Sequence, residues 1–215
     1  QRPARSSSRR LGARGDTRQT LIDTALNLLS DDKSFDGLSL RELTRAVGIV
    51  PTAFYRHFPG MDELGLALVD ESFGALRKIL DDARKESRNT DKMVRGIVRA
   101  LMKHVQKHRI RFRFIAAERV GGNSKVRDSI RREMRLVQSE LALELARFPY
   151  LKEWSTADLH MMASLALNTL VAVAEEMLDR HAKDKNAERE LSTLAEKQLR
   201  LILLGVPHWR SDAAS

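Results

Sequence analysis

Cysteine is absent from the 215-residue chain, which removes disulfides, thiol nucleophiles and cysteine-ligated metal and suits a reducing, cytoplasmic setting. The basic amino terminus, QRPARSSSRRLGARG, has no apolar stretch behind it, so neither a signal peptide nor a membrane anchor is expected. The most apolar run, 157–174, is interrupted by Asp158, His160, Asn168 and Thr169 and reads as a buried helix, not a bilayer span. A glycine-rich phosphate loop, a strand–turn–helix nucleophile elbow, internal repeats and any Ser-His-Asp arrangement are also missing. His104 and His108 stand at i and i+4 but lack the glutamate of an H-E-x-x-H pattern, so a solvated helix face explains them better than a metal. The doublets Asp81–Asp82 and Glu175–Glu176 face different directions on a helix and make poor acid–base pairs. No catalytic residue, metal site or cofactor is expected, and the chain does not read as an enzyme.

What is present is charge, unevenly placed. Hydrophobic residues make up 42% and charged residues 31%, the balance of a water-soluble globular protein, with a net charge of +9. Residues 1–18 hold six arginines against Asp16, a local +5. Residues 19–66 hold four Lys/Arg against seven Asp/Glu and are locally −3. Residues 92–135 hold fourteen Lys/Arg against three acids, a local +11. A basic arm at a chain end is a footprint of nucleic-acid binding; for the second block a solvated helix face is the plainer reading.

Helix signals begin at Asp16, with Gln19 three residues on and an apolar series through Leu21, Ile22, Ala25, Leu26 and Leu29. Ser39 with Glu42 forms a second capping box, Gly48 supplies a left-handed stop, and Pro51 suits the first turn of another helix. Two helices of about two turns each, meeting across a turn of roughly three residues, form a helix-turn-helix. Leu43, Val47, Ile49, Phe54 and Phe58 are expected to dock on the first helix, leaving Thr52, Tyr55, Arg56 and His57 outward. An isolated helical corner would explain each signal singly but not their coincidence at these offsets. Further helices are expected over 62–87, 91–107, 124–147, 155–180 and 191–204. The period-2 run RIRFRF mimics a strand, but no partner strand exists elsewhere, so it too is assigned to helix. The fold class is all-α.

The stretch SLRELTRAVGIVPTAFYRHFPGMDELGLALVDES resembles the DNA-binding region of TetR-type transcriptional regulators, most of all the FabR and DesT repressors of unsaturated fatty-acid synthesis. The likeness continues more weakly through RIRFRFIAAERVGGNSKVRDSIRREM. It implies about nine helices: a flexible basic arm over 1–15, a three-helix DNA-binding domain over 16–62, a ligand-binding and dimerisation domain over 63–206, and a tail over 207–215. It also implies that Arg41 and the pair Thr52 and Ala53 stand beside base edges, and that Tyr55 and His57 touch the DNA backbone. Arg56 is placed to reach guanine O6 and N7, and Arg14 and Arg18 would add sequence-independent affinity. Many such regulators carry a phosphate-contacting lysine after the recognition helix; here that place reads Pro59, Gly60, Met61, Asp62, Glu63, and the contact falls to the arm.

The same resemblance implies a homodimer on double-stranded palindromic operator DNA, with recognition helices roughly 34–36 Å apart. Leu159, Ala163, Ala166, Leu170, Val173 and Met177, with Leu191 and Leu194, are the expected dimer stripe. A hydrophobic effector is expected among Phe73, Leu76, Leu101, Phe112, Phe114, Ile115, Met134, Val137, Met162 and Leu165, although plain core packing is the simpler role for each. Fatty acyl-CoA is the implied effector, its phosphates attracted by Arg109, Arg111, Arg113, Arg127 and Arg131. The chain therefore reads as a cytoplasmic transcriptional repressor of lipid metabolism. A regulator sensing a drug-like compound is the alternative, and a basic helical adaptor binding proteins through 92–135 is a more remote one.

Overall fold

The computed structural model describes residues 7–29, 33–84, 90–179 and 185–211; within these, the side chains of 7–16, 75, 76, 78–84, 90, 91 and 185 are not described. Among the described residues, regular structure is wholly helical: α1 (Ser7–Leu28), α2 (Leu40–Val47), α3 (Pro51–Phe54), α4 (Met61–Arg84), α5 (Thr90–Lys107), α6 (Arg109–Glu118), α7 (Ser124–Leu145), α8 (Thr156–Asp179) and α9 (Lys185–Gly205), with single 3₁₀ turns at Phe35–Gly37, Pro149–Leu151 and Val206–His208. RIRFRF lies inside α6, as its lack of a strand partner required. Two boundaries differ from expectation. Helical backbone starts at Ser7, not Asp16, so residues 7–15 continue α1 and do not form a separate arm. Regular α3 is four residues long, shorter than two turns, because the chain tightens after Phe54 into i→i+3 bonds, Arg56 N–H to Ala53 O (3.2 Å) and His57 N–H to Phe54 O (2.8 Å).

The chain divides into two compact units, Gln1–Ser72 with Arg113–Ile130, and Phe73–Phe112 with Arg131–Ser215. The first unit therefore extends past residue 62 and recruits a segment 40 residues further along the chain. Its core gathers Leu21, Ile22 and Ala25 of α1, Leu43 of α2, Phe54 and Phe58, and Leu64 and Leu68 of α4, all buried. Each of these leucine, isoleucine and phenylalanine side chains contributes about 1.5–3 kcal/mol through removal from water. Phe35 packs edge-on against Phe114 with ring centroids 6.4 Å apart, fixing the end of α6 in this unit. Gly65 is required by close approach, since a Cβ there would lie 2.6 Å from Val126 and 2.8 Å from the Phe35 ring.

In the second unit α5, α8 and α9 pack on one another. Val98, Met102 and Val105 of α5 join Met162, Ala163, Val173 and Met177 of α8 and Leu191, Ala195 and Leu199 of α9 in the core. The carboxyl end of α8 is closed by Arg109, whose guanidinium donates to the carbonyls of Met177 (3.0 Å) and Leu178. At the other end Ser155 Oγ accepts the Asp158 N–H at 3.1 Å, the expected cap. By length and composition α8 is long and apolar enough to cross a membrane. Its apolar residues run all round: one face is buried in the unit, and the opposite face leaves Met161 and Leu165 exposed.

Candidate nucleic-acid interface

The interface is built from the α2–turn–α3 corner. Ser39 Oγ accepts the Glu42 N–H at 3.1 Å and starts α2, while Glu42 itself is held by Lys33 Nζ at 2.5 Å. Thr44 is buried and returns its hydroxyl to the Leu40 carbonyl at 2.9 Å. Gly48 ends the helix at φ +77°, and the Ile49 N–H then reaches the Thr44 carbonyl at 3.0 Å. Val50 is extended and Pro51 opens α3 with φ already suited to it.

Phe54 and Phe58 lie one turn apart and point inward, with exposures of 0% and 3%, so the corner is braced by the core behind it. The residues between them are therefore forced outward. Tyr55 is 57% exposed, and Thr52, Arg56 and Arg41 are exposed, whereas Ala53 and His57 are half-buried. His57 is thus less available than the sequence implied. Arg18 stands on α1 beside the same corner, its guanidinium 5.1 Å from the centroid of the Phe58 ring, which holds the charge at the exit of α3. Sequence reasoning placed Arg18 but not this stacking. The side chain of Arg14 lies outside the described residues, although its backbone continues α1.

Behind the corner, the loop between α6 and α7 is tied to α4. Asn123 Nδ2 donates to Asp36 (3.1 Å) and Asp62 (3.3 Å), and Lys125 Nζ pairs with Asp62 at 2.6 Å. The Lys125 hydrogen bond, then that of Asn123, hold the Asp62 carboxyl below the ordinary aspartate value.

The residues expected to line an effector pocket are divided between the two units. Phe114 and Ile115 belong to the first unit, whereas Phe73, Leu101, Phe112, Met134, Val137, Met162 and Leu165 belong to the second. The Leu76 side chain lies outside the described residues, and Leu165 is 50% exposed on the outer face of α8. Two of the arginines assigned to phosphates are otherwise engaged: Arg109 caps α8, and Arg127 donates to the carbonyls of Gly121 (2.5 Å) and Gly122 (3.2 Å). The expected dimer stripe also needs correction, because Leu159, Ala163, Val173, Met177 and Leu191 are already buried within a single chain. Ala166 and Leu170 are half-buried, and Leu194 is exposed. The large apolar side chains left exposed are Met161 and Leu165 on the opposite face of α8, and Leu201 and Leu204 on α9 together with Leu194 of the expected set. Because α8 is apolar on both sides, its periodicity alone could not tell these two faces apart.

Solved structures share this fold at low sequence identity. A fatty acid degradation regulator, FadR from Bacillus halodurans, superposes with a TM-score of 0.64 at 17% identity, covering 88% of this chain and 95% of its own. FadR from Bacillus subtilis, solved in complex with stearoyl-CoA, gives 0.67 at 13% identity, with 87% and 98% covered. AibR, solved with isovaleryl coenzyme A and operator DNA, gives 0.66 at 14%, with 85% and 97% covered. Residues 21–68 match the bacterial regulatory proteins of the tetR family, and residues 90–205 match the tetracyclin repressor-like C-terminal domain. With an exposed helix-turn-helix corner and family matches over both regions, the chain belongs to the TetR family of DNA-binding transcriptional regulators.

Proposed function

We propose that this chain acts as a homodimeric repressor of lipid or fatty-acid genes, reading a palindromic operator through α3 and responding to a fatty acyl-CoA. The observation that carries the DNA reading is the fixed corner: Phe54 buried, with Thr52, Tyr55 and Arg56 exposed around it. A side chain such as Arg56 can then meet a guanine edge in the major groove, while the exposed Arg18 and Arg41 of the same unit add further cations for DNA contacts. Dimerisation through the exposed stripe of Met161, Leu165, Leu194 and Leu201 would set the spacing of two such corners.

Support for the acyl-CoA effector comes from the likeness of 39–72 to the FabR and DesT repressors, and from fold relatives solved with stearoyl-CoA and isovaleryl coenzyme A. A ligand of this kind regulates only if it binds the DNA-competent and incompetent states with different affinity. The test is footprinting on genomic fragments with and without acyl-CoA. A protected palindrome that changes with acyl-CoA supports the whole reading. Protection indifferent to acyl-CoA leaves a regulator for another hydrophobic compound, and binding without sequence preference defeats the regulator reading.

A further inference from the structure

Along one side of the second unit, α5 and α9 bound a surface cavity of about 320 Å3 lined by Arg99, Met102, Lys103, Gln106, Glu188, Arg189 and Ser192. Met102 is buried at 4% exposure, while the head groups of Arg99, Lys103 and Arg189 are exposed around it. Arg99 and Lys103 stand at i and i+4 on α5, a spacing at which like charges weaken a helix. Among the described residues, no carboxylate is paired with any of these three cations. Three exposed cations therefore border this concave surface, and among the described residues none of them forms an ion pair with Glu188, the one carboxylate in its lining.

We propose that this groove binds the phosphates of a ribonucleotide. Two guanidinium forks and an ammonium match phosphate oxygens, the former bidentately and the latter as a point charge. Gln106 and Ser192 add neutral hydrogen-bonding groups, and Met102 offers an apolar floor. Glu188 narrows the ligand class. A carboxylate in the wall repels a bare inorganic polyanion but accepts from a hydroxyl, so a phosphate carried on a sugar is favoured over phosphate alone. The groove is built from the second unit and the DNA-reading corner from the first, and the inference goes beyond the acyl-CoA reading because it requires no acyl chain.

The test is calorimetric titration of the full chain with ADP and with inorganic pyrophosphate at about 0.15 M salt. ADP is expected to bind more tightly than pyrophosphate, and the combined variant R99Q/K103Q/R189Q to weaken ADP binding by about tenfold or more. A control of equal charge loss elsewhere on the surface, R132Q/K152Q/K197Q, is expected to leave ADP binding unchanged. Glu188→Gln should reduce the preference for ADP over pyrophosphate. Absence of ADP binding by the unmodified chain, or equal weakening in the control, overturns the proposal. Circular dichroism of each variant separates lost binding from lost fold. A chain that binds ADP but protects no operator would sink the regulator reading and leave this one standing.

Discussion

Glu118, the last residue of α6, accepts the backbone N–H of Phe35 at 2.7 Å, joining positions 83 residues apart. The carboxylate is 2% exposed, and among the described residues its other oxygen, Oε2, has no partner. The chain must then turn without side chains, because a Cβ on Gly121 would lie 2.6 Å from that same oxygen. Glu118→Ala is expected to destabilise the DNA-binding unit by about 1–3 kcal/mol, since it orphans a buried amide. Glu118→Gln keeps an acceptor and should cost less. Denaturant midpoints and hydrogen exchange at the Phe35 amide measure both; equal effects would show that the bond is immaterial.

Gly48 presents a cleaner case, because nothing lies within 4 Å of a Cβ placed there and its φ is +77°. Gly48→Ala should therefore lower stability by about 1–2 kcal/mol through backbone strain alone. Gly48→Asn should lie between the two, as a melting comparison would reveal.

Arg56→Ala is expected to leave the melting temperature unchanged, because the side chain is exposed, and to remove about 1–3 kcal/mol of discrimination between operator and altered operator. Arg18→Ala should weaken all DNA sequences alike and flatten the log–log salt slope by about 0.9. Mobility-shift titrations across a salt series distinguish the two.

Stability should rise with pH through two groups. Lys125 and Asn123 lower the Asp62 carboxyl below 3.8, so its contribution is present above 3.8 and is lost as pH falls through the lower folded value. Burial first, then Arg111 and Lys107, lower His108 below 6.5. The folded state resists its protonation, and stability declines as pH drops below 6.5. NMR titration of the Asp62 carboxyl and the His108 ring should give midpoints on the acid side of 3.8 and 6.5, and Lys125→Met should return Asp62 towards its ordinary value.

The two faces of α8 predict opposite phenotypes. Leu165→Asp on the exposed face of α8, combined with Leu201→Asp on α9, should yield a folded monomer by sedimentation. Leu159→Ala, on the buried stripe, should instead cost about 2–5 kcal/mol of subunit stability. A dimer that survives both aspartates places the interface elsewhere.

Local signals made the helix-turn-helix legible in advance. Ser39, Glu42, Gly48 and Pro51 act through bonds and dihedrals within a few residues of themselves, so reading them needs no knowledge of the rest of the chain. The inward pair Phe54 and Phe58 follows from the same 3.6-residue period. The start of α1 was less legible, because Asp16 looks like a cap while the backbone is already helical from Ser7.

From the sequence alone came the all-helical class, the capped corner and the outward placement of Thr52, Tyr55 and Arg56, because short-range stereochemistry and hydrophobic period dictate them. Tertiary structure alone decided which stripe of α8 faces the core, that Arg109 and Arg127 serve backbone carbonyls, and that 113–130 joins the DNA-binding unit. The physical reason is range: a helix apolar on two sides, or an arginine with a choice of acceptors, takes its role from whichever neighbours packing brings to it.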